Sequence, residues 1–281
     1  MGWEDGADAP NLRFYRPASA SHRARLLGLG NNAIVNTHQA STAPPISAMV
    51  LAAGRGARMR PLTDTCPKPL LEVQGQPLMQ WPMQALFDQG FKHLVVNTAW
   101  LGEQIEVRFS DWARVHPGAQ LDFSHEGKDF GGALETAGGI ARALPLLGDV
   151  FWVSAGDVYA PDFVFDPQAV ERFRASDKLA HLWLVPNPEH NPNGDFGLNA
   201  EGLALNTSEV KMTYSTIGLY RNALFAGPWC DIASGNPAGQ AAPLAPLLRS
   251  AIAASRVSAS VYSGRWTDVG TPERLLALNR N

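Results

Sequence analysis

A loop rich in glycine and arginine is where residue types and spacing point most clearly to chemistry. It runs from Gly54 to Thr63 as Gly-Arg-Gly-Ala-Arg-Met-Arg-Pro-Leu-Thr, directly after the apolar segment Met49–Ala53. Glycine has no side chain to keep a ligand away from the backbone, so its N–H groups can approach a polyphosphate closely. The loop is therefore predicted to bind phosphate groups.

A lysine between two prolines follows this loop. The segment Cys66-Pro67-Lys68-Pro69 places Lys68 ten residues after Arg58. The flanking prolines predict an extended, stiff backbone that projects a point charge. Each feature alone has a simpler interpretation: a surface turn, a solvated charged loop and a rigid connector. Their order and spacing together favour a site for anions.

Two other kinds of phosphate loop are excluded by the sequence. No Gly-Lys-Ser or Gly-Lys-Thr closes the segment, so it is not a Walker A loop. The third glycine of a dinucleotide fingerprint is missing, and Pro61 interrupts any helix that would begin there.

Alternating strand and helix patterns must position these residues. Strands are predicted at Met49–Ala53, Phe91–Ala99, Leu121–Phe123, Val150–Val153, Leu179–Val185 and Val257–Tyr262. Helices are predicted at Pro77–Gln89, Gly102–Val115, Thr136–Leu147, Ala242–Ala254 and after the capping pair Thr271-Pro272.

This alternation predicts an α/β fold with a mostly parallel sheet and helices on both faces. Ligands bind beyond the carboxyl ends of the strands in such sheets. We therefore expect the residues after Ala53, Asn97 and Val153 to border the functional site.

The composition narrows the class of protein. Of 281 residues, 45% are hydrophobic and 17% are charged, and a net charge of −3 lacks the basic excess of a nucleic-acid binder. No stretch approaches the roughly 18 apolar residues that span a bilayer. Two cysteines, Cys66 and Cys230, are too few for a disulfide framework. We expect a cytoplasmic protein without nucleic-acid or membrane partners.

The first 46 residues differ from the rest of the chain. They have no sustained helical or strand period and end near Ser41-Thr42-Ala43-Pro44-Pro45, a linker-like stretch. We expect residues 1–46 to be a disordered extension without function, or the product of an over-long gene model. Residues 47–281 are expected to form one domain, with no further domain after the last helix.

The loop and the lysine together resemble the signature of the sugar-1-phosphate nucleotidyltransferases. The resemblance rests on Gly54-x-Gly56-Ala57-Arg58-Met59-x-Pro61-Leu62-Thr63 followed by Pro67-Lys68-Pro69. It continues in Val96–Gly102, Leu134–Gly139, Gly194–Phe196 and Trp266–Gly270, which are most similar to a branch of uridylyltransferases in cell-wall sugar recycling. The resemblance implies a Rossmann-like nucleotidyltransferase fold. It also implies that a nucleoside triphosphate, with UTP favoured, joins a sugar 1-phosphate and releases pyrophosphate.

The resemblance further implies roles for individual residues. Arg58 and Lys68 would be catalytic, Arg58 by clamping the β- and γ-phosphates and Lys68 by neutralising charge at the α-phosphate. Asp157 and Asp268 would hold a magnesium ion (Mg²⁺), although each alone also fits a turn or a helix cap. The residues implied to bind the nucleotide are Ala53, Gly54, Gly56, Ala57, Arg58, Lys68 and Ala155. Those implied to bind the sugar substrate are Asn187, Asp195 and Asp268.

Substrate selection is implied for two segments. Base selection would involve Glu126–Gly139, where paired glycines permit backbone contact with a base, and sugar selection would involve Thr213–Ser215. Two residues depart from the branch: Ala155 stands in place of a frequent asparagine, and Thr216 in place of a glycine.

Three other side chains are given structural interpretations. His190 is predicted to be loop surface rather than a metal ligand. Trp100 and Trp152 are predicted to pack within the protein rather than to stack on a base.

Alternative functions are left open by the sequence. Mannose-1-phosphate guanylyltransferases and other hexose-1-phosphate nucleotidyltransferases share the same signature. A non-catalytic sensor of nucleotide sugars would share the fold but lose the loop cations or the aspartates, which this chain keeps. A monomer or a small homo-oligomer is expected.

Overall fold

A seven-stranded sheet forms the centre of the structure, a computed structural model that describes residues 46–280. The predicted extension up to residue 45 and Asn281 lie outside the described residues. The strands in chain order are β1 (Ser47–Leu51), β2 (His93–Thr98), β3 (Gln120–His125), β4 (Val150–Ala155), β5 (Ala180–Val185), β6 (Thr213–Arg221) and β7 (Val257–Val261). Their spatial order is β7-β5-β6-β4-β1-β2-β3.

The sheet is mostly parallel, as predicted. Only β6 runs antiparallel to its neighbours β4 and β5, and all other neighbouring strands are parallel. Leu51 at the end of β1 pairs with Asn97 on one side and with Ala155 on the other. The carboxyl ends of β2, β1 and β4 therefore lie side by side at one edge.

Helices cover both faces of the sheet. Among residues 46–280 they are α1 (Gln80–Asp88), α2 (Gly102–Arg108), α3 (Trp112–Val115), α4 (Glu126–Phe130), α5 (Glu135–Ala143), α6 (Pro167–Ala175), α7 (Leu244–Ala253) and α8 (Pro272–Asn279). None of the described helices is long and apolar enough to cross a membrane.

Alternating side chains of the central strands build a core on each face. Met49 and Val95 face α5 and α7, where Ile140 and Leu248 belong to the same apolar cluster. Val50 points to the other face, which is covered by side chains of α1, α2, α3 and α6. Because both faces of the sheet are covered, β1 is apolar from Ala48 to Leu51.

Local signals in the sequence account for several helix ends. Gly90 ends the α1 segment with φ = 91°, and the side chain of Thr271 accepts a hydrogen bond from the backbone of Arg274 at the start of α8. Both were predicted from their residue types.

Other predictions of local structure were wrong. The helix expected at Gly102–Val115 is broken into α2 and α3, and the hydroxyl of Ser110 donates to the carbonyl of Val107 at the break. Such side-chain bonds compete with the helical pattern. Helix α6 and strand β6 were not predicted. The capping pair Asp166-Pro167, whose carboxylate accepts bonds from two backbone N–H groups, was the available signal for α6.

Candidate active site

The glycine–arginine loop turns directly after β1. Gly56 has φ = 65° and ψ = 36°, a left-handed conformation that favours glycine, and it precedes the short 3₁₀ turn Ala57–Met59. Its carbonyl accepts bonds from the backbone of Met59 at 2.9 Å and from the hydroxyl of buried Thr63 at 2.8 Å. These bonds fix the path of the loop.

Arg55 and Arg60 have partners within the loop. Asp64 pairs with Arg55 at 3.3 Å and with Arg60 at 3.2 Å. The guanidinium of Arg55 also lies 3.6 Å from the centre of the Trp100 ring, so Trp100 supports the loop.

Arg58 differs from these two arginines. It is exposed, and no carboxylate of residues 46–280 pairs with it. Its guanidinium therefore carries an uncompensated positive charge on the loop.

The two glycines of the loop, Gly54 and Gly56, differ in whether packing and backbone conformation require a glycine. A Cβ on Gly56 would lie 3.0 Å from the Cβ of Lys68, so the loop and the lysine are packed together. A Cβ on Gly54 would meet no atom within 4 Å, and Gly54 does not have a positive φ. Neither backbone conformation nor packing within the described residues requires glycine at position 54.

Lys68 is buried and points toward the carboxyl edge of the sheet. Its ammonium donates to the carboxylate of Asp157, which follows β4. The extended backbone predicted for Lys68 was wrong: Lys68–Leu70 forms a 3₁₀ turn, in which the backbone of Leu71 donates to the carbonyl of Lys68 at 3.1 Å. The prolines stiffen this turn rather than an extended segment.

Asp157 and Asp268, which are 111 positions apart, lie on adjoining segments. Val158–Tyr159 and Thr267–Asp268 form a short antiparallel ladder in which Asp268 is opposite Val158. The backbone of Val269 donates to the carbonyl of Asp157 at 2.9 Å. The chain therefore brings the backbones of the two aspartates together.

The carboxylate of Asp268 has other partners in this structure. Arg274 of α8 donates to it at 2.5 Å, and a ring nitrogen of His190 lies 2.9 Å from it. Asp268 does not line the cavity that Asp157 borders. His190 is exposed on its loop as predicted, but its contact with Asp268 and the role of Arg274 were missed because nothing local in the sequence links these three residues.

An apolar cluster joins the loop to this ladder. Met59 of the loop, Tyr159 and Val269 of the ladder, and Leu275 of α8 pack together with Leu71, Val73 and Leu78. Met59 and Val269 are fully buried. The glycine–arginine loop and the segment that carries Asp268 are thus packed against the same apolar cluster.

A cavity of about 610 Å³ opens at the carboxyl edge of the sheet. Six of the residues implied by the resemblance line it, namely Ala53, Gly54, Lys68, Ala155, Asp157 and Asp195. The other five, Gly56, Ala57, Arg58, Asn187 and Asp268, lie outside its lining. The lining includes four carboxylic acids and two basic side chains, namely Glu126, Glu135, Asp157, Asp195, Lys68 and Arg249.

A buried polar network forms one wall of the cavity. The amide oxygen of Asn97 accepts from the backbone of Ala52 at 2.8 Å, and its amide nitrogen donates to Glu126 at 2.7 Å. The other carboxylate oxygen of Glu126 accepts from the backbone of Leu134 at 2.7 Å. A Cβ on Gly139 would lie 2.4 Å from the Glu126 carboxylate, so this glycine makes room for the network.

Burial raises the pKa of Glu126, and the bonds from Leu134 and Asn97 only partly offset that effect. The network lies within the stretch Glu126–Gly139 for which base selection was predicted. The sequence did not indicate that Glu126 is the buried group at its centre.

Asp195 and Asn187 are tied to the start of β6 in different ways. One carboxylate oxygen of Asp195 accepts from the backbone of Tyr214 at 2.8 Å, and the residue lines the cavity. The amide of Asn187 donates to the carbonyls of Pro192 and Lys211 at 3.1 and 2.9 Å, and accepts from the hydroxyl of Thr213. Asn187 thus braces the loop next to Asp195 from outside the cavity.

Thr216 lines the same wall in a strained conformation. Its φ is 62°, and the register of β6 shifts between Tyr214 and Gly218. A β-branched residue with positive φ is a true outlier, and such strain concentrates at functional sites.

The remaining predictions concern aromatic packing. Trp152 is fully buried against Phe165 and Trp183, so it belongs to the core as predicted. Trp100 donates to the carbonyl of Thr63 at 3.0 Å and contacts Arg55, so it also packs within the protein as predicted.

Comparison with known proteins gives a consistent result. Residues 47–281 match the family model described as nucleotidyl transferase. The chain is 45% identical to the N-acetylmuramate alpha-1-phosphate uridylyltransferase of Neisseria meningitidis serogroup B over 240 residues, 82% of this chain and 95% of that protein. It is 30% identical to the protein of the same name from Caulobacter vibrioides over 84% of this chain and 96% of that protein.

A solved structure supports the same fold. It is described as a putative glucose-1-phosphate thymidylyltransferase from Bacillus anthracis in complex with a sucrose. It superposes with a TM-score of 0.67 at 18% identity and covers 83% of this chain and 94% of that one.

Proposed function

The chain belongs to the nucleotidyl transferase family, and we propose that it transfers a uridylyl group from UTP to N-acetylmuramate α-1-phosphate. The products are UDP-N-acetylmuramate and pyrophosphate. The observation that carries the proposal is the Lys68–Asp157 pair beside a glycine loop, within one cavity at the carboxyl edge of the sheet. The names of two relatives that match most of the chain supply the nucleotide and the sugar.

The reaction needs positive charge more than it needs a base. A phosphate oxygen of the sugar phosphate attacks the α-phosphorus of the triphosphate, and the bond to the β-phosphate oxygen breaks as pyrophosphate leaves. The attacking oxygen is already an anion, so no proton has to be removed. The barrier is the mutual repulsion of two polyanions, which positioning and cationic groups must overcome.

The lining of the cavity agrees with a need for a bound cation. Four acidic and two basic side chains line it, so the protein alone does not neutralise two phosphorylated substrates. Among the described residues, no three His, Cys, Asp or Glu side chains converge to hold a metal ion without other ligands. Magnesium commonly takes one or two carboxylates and completes its shell with water and phosphate oxygens.

Asp157 and Asp268 fit such a donor set. Both offer hard carboxylate oxygens, and hydrogen bonds join their segments. To bind the metal ion, the carboxylate of Asp268 must give up its contacts with Arg274 and His190. A magnesium ion held by these carboxylates would neutralise part of the charge of the phosphates.

The side chains of the chain then perform separate tasks. Lys68, released from Asp157 by substrate, neutralises the α-phosphate as charge develops. Arg58, which has no carboxylate partner among the described residues, binds the outgoing pyrophosphate with two parallel hydrogen bonds. Gly54 allows the triphosphate to approach the backbone. A soluble UDP-sugar product fits a cytoplasmic role in cell-wall recycling.

A substrate screen tests the proposal. Pyrophosphate release is measured with magnesium for UTP and GTP against the 1-phosphates of N-acetylmuramate, mannose and glucose. UTP with N-acetylmuramate 1-phosphate is expected to give the highest kcat/KM. A higher value for GTP with mannose 1-phosphate would overturn the proposal in favour of guanylyl transfer. Calorimetric binding of nucleotide without pyrophosphate release would indicate a sensor instead of an enzyme.

A further inference from the structure

Arg249 is a cation in the cavity that the reaction as described does not use. It lies on α7 and is one of two basic residues in the lining, the other being Lys68. Lys68 pairs with Asp157, whereas no carboxylate of the described chain pairs with Arg249. An arginine among four acids of the same lining and without an ionic partner is suited to receive an anion from outside the protein.

The position of Arg249 is fixed by aromatic packing. Its guanidinium carbon lies 5.3 Å from the centre of the Phe196 ring, and Phe196 is buried. A cation–π contact of this kind limits the rotation of an exposed arginine side chain. The side chain of Asn206 also donates to the carbonyl of Arg249 at 2.8 Å, which anchors that turn of the helix.

This arginine lies near residues that were predicted to bind the sugar. Phe196 follows Asp195 in the chain, and the two residues contact Met212 and Tyr214 at the start of β6. The phosphate cations lie elsewhere: Lys68 joins Asp157 after β4, and Arg58 lies on the loop after β1. Arg249 is therefore placed to bind a part of the sugar other than its 1-phosphate.

We propose that Arg249 binds the carboxylate of the lactyl ether by which N-acetylmuramate differs from N-acetylglucosamine. The inference rests on the proposed function, which identifies the sugar as an acid. The acidic lining disfavours an additional negative charge, so a sugar acid needs a local cation, and Arg249 supplies it. A planar guanidinium suits both oxygens of a carboxylate. Arg249 is thus a specificity-determining residue rather than a group that acts on the reacting phosphates.

The experiment compares a carboxylate with its uncharged ester in the presence and absence of the arginine. The KM for N-acetylmuramate 1-phosphate and for its lactyl methyl ester is measured with the wild type and with Arg249→Leu. Esterification is expected to raise the KM of the wild type by about 10- to 100-fold, the range for a lost charge-assisted hydrogen bond. In Arg249→Leu the two substrates should have similar KM values, both close to that of the wild type for the ester.

Two controls keep the outcome interpretable. Arg114→Gln changes an exposed arginine of α3, 71% accessible, and should behave as the wild type with both substrates. The ester and N-acetylglucosamine 1-phosphate report on the folding and chemistry of Arg249→Leu, because neither carries the lactyl charge.

The outcomes separate the two proposals. If the wild type prefers the acid to its ester and Arg249→Leu keeps that preference, the role of Arg249 alone is overturned. The same holds if the wild type prefers the acid and Arg249→Leu loses activity with the acid and with the ester to the same extent. A wild type that uses the acid no better than N-acetylglucosamine 1-phosphate would overturn the proposed substrate, and with it the inference.

Discussion

The ammonium of Lys68 and the carboxylate of Asp157 form an ion pair across 89 positions of the chain. Lys68 is buried in this pair, while the carboxylate of Asp157 is 38% accessible and faces the cavity. The pair is neutral overall, so the ammonium of Lys68 becomes available to the phosphates of the proposed reaction only when they displace the carboxylate of Asp157.

Replacing Lys68 removes this charge. We expect Lys68→Ala to lower kcat by at least about a hundredfold, as loss of a charge partner in the transition state typically does. Pyrophosphate release under saturating substrates measures the effect. Lys92→Ala, which changes an exposed lysine before β2, is the matched control. Near-normal turnover of Lys68→Ala would exclude the catalytic role of Lys68.

The difference between Arg58 and Arg60 predicts different effects of the same substitution. Arg58 has no carboxylate partner in the described chain, whereas Arg60 pairs with Asp64. Arg58→Lys loses the guanidinium fork and should raise the KM for the triphosphate by about tenfold. Arg60→Lys should leave it nearly unchanged. Equal KM values for the two variants would show that Arg58 does not contact the triphosphate.

The open space at Gly54 predicts that a substitution there weakens binding of the triphosphate without destabilising the fold. The Cβ added in Gly54→Ala meets no protein atom, so the free energy of unfolding should change by less than about 0.5 kcal/mol. The KM for the triphosphate should rise by about tenfold, because the methyl group occupies the space of the phosphates. Gly148→Ala changes a glycine outside the cavity lining, where a Cβ would meet only the carbonyl oxygen of Val150 at 3.8 Å, and should change neither quantity. A destabilised Gly54→Ala would instead point to a structural need for the glycine.

Sequence patterns predicted the sheet and the loop that carry the site better than they predicted the contacts between its side chains. The apolar runs of β1, β2 and β4 and the motif from Gly54 to Pro69 are local signals, and they gave the sheet and the loop. The pairing of Lys68 with Asp157 depends on β4 lying next to β1, which is a non-local result of strand order. The contact of Asp268 with His190 joins two segments that are far apart in the chain, and the strand that carries Asp268 is only two residues long, too short to leave a periodic pattern.

The strain at Thr216 predicts a stabilising substitution. A left-handed conformation costs a residue with a Cβ roughly 1–2 kcal/mol, and the added flexibility of glycine in the unfolded chain offsets part of the relief. We expect Thr216→Gly to raise the free energy of unfolding by roughly 0.5–1 kcal/mol. Thr213→Gly, in the extended part of β6, should lower it. Denaturant unfolding of both variants checks the prediction, and destabilisation of both would contradict it.

His181 predicts how stability depends on pH. Burial lowers its pKa from 6.5 to about 4, with a smaller contribution from Arg172, and a ring nitrogen lies 2.8 Å from the hydroxyl of Ser258. Between pH 6.5 and 4 the unfolded chain binds a proton at this histidine that the folded chain does not. Stability from this group is therefore fully present above pH 6.5 and is lost as the pH falls toward 4, at up to about 1.4 kcal/mol per pH unit.

The variant His181→Gln removes the titrating group and keeps a polar side chain. Its free energy of unfolding should fall less steeply than that of the wild type between pH 6.5 and 4, while the two curves run parallel above pH 7. Urea denaturation at a series of pH values measures both curves. If they stay parallel throughout the acidic range, His181 is not the group responsible, because a neutral buried histidine must make the wild type more sensitive to acid.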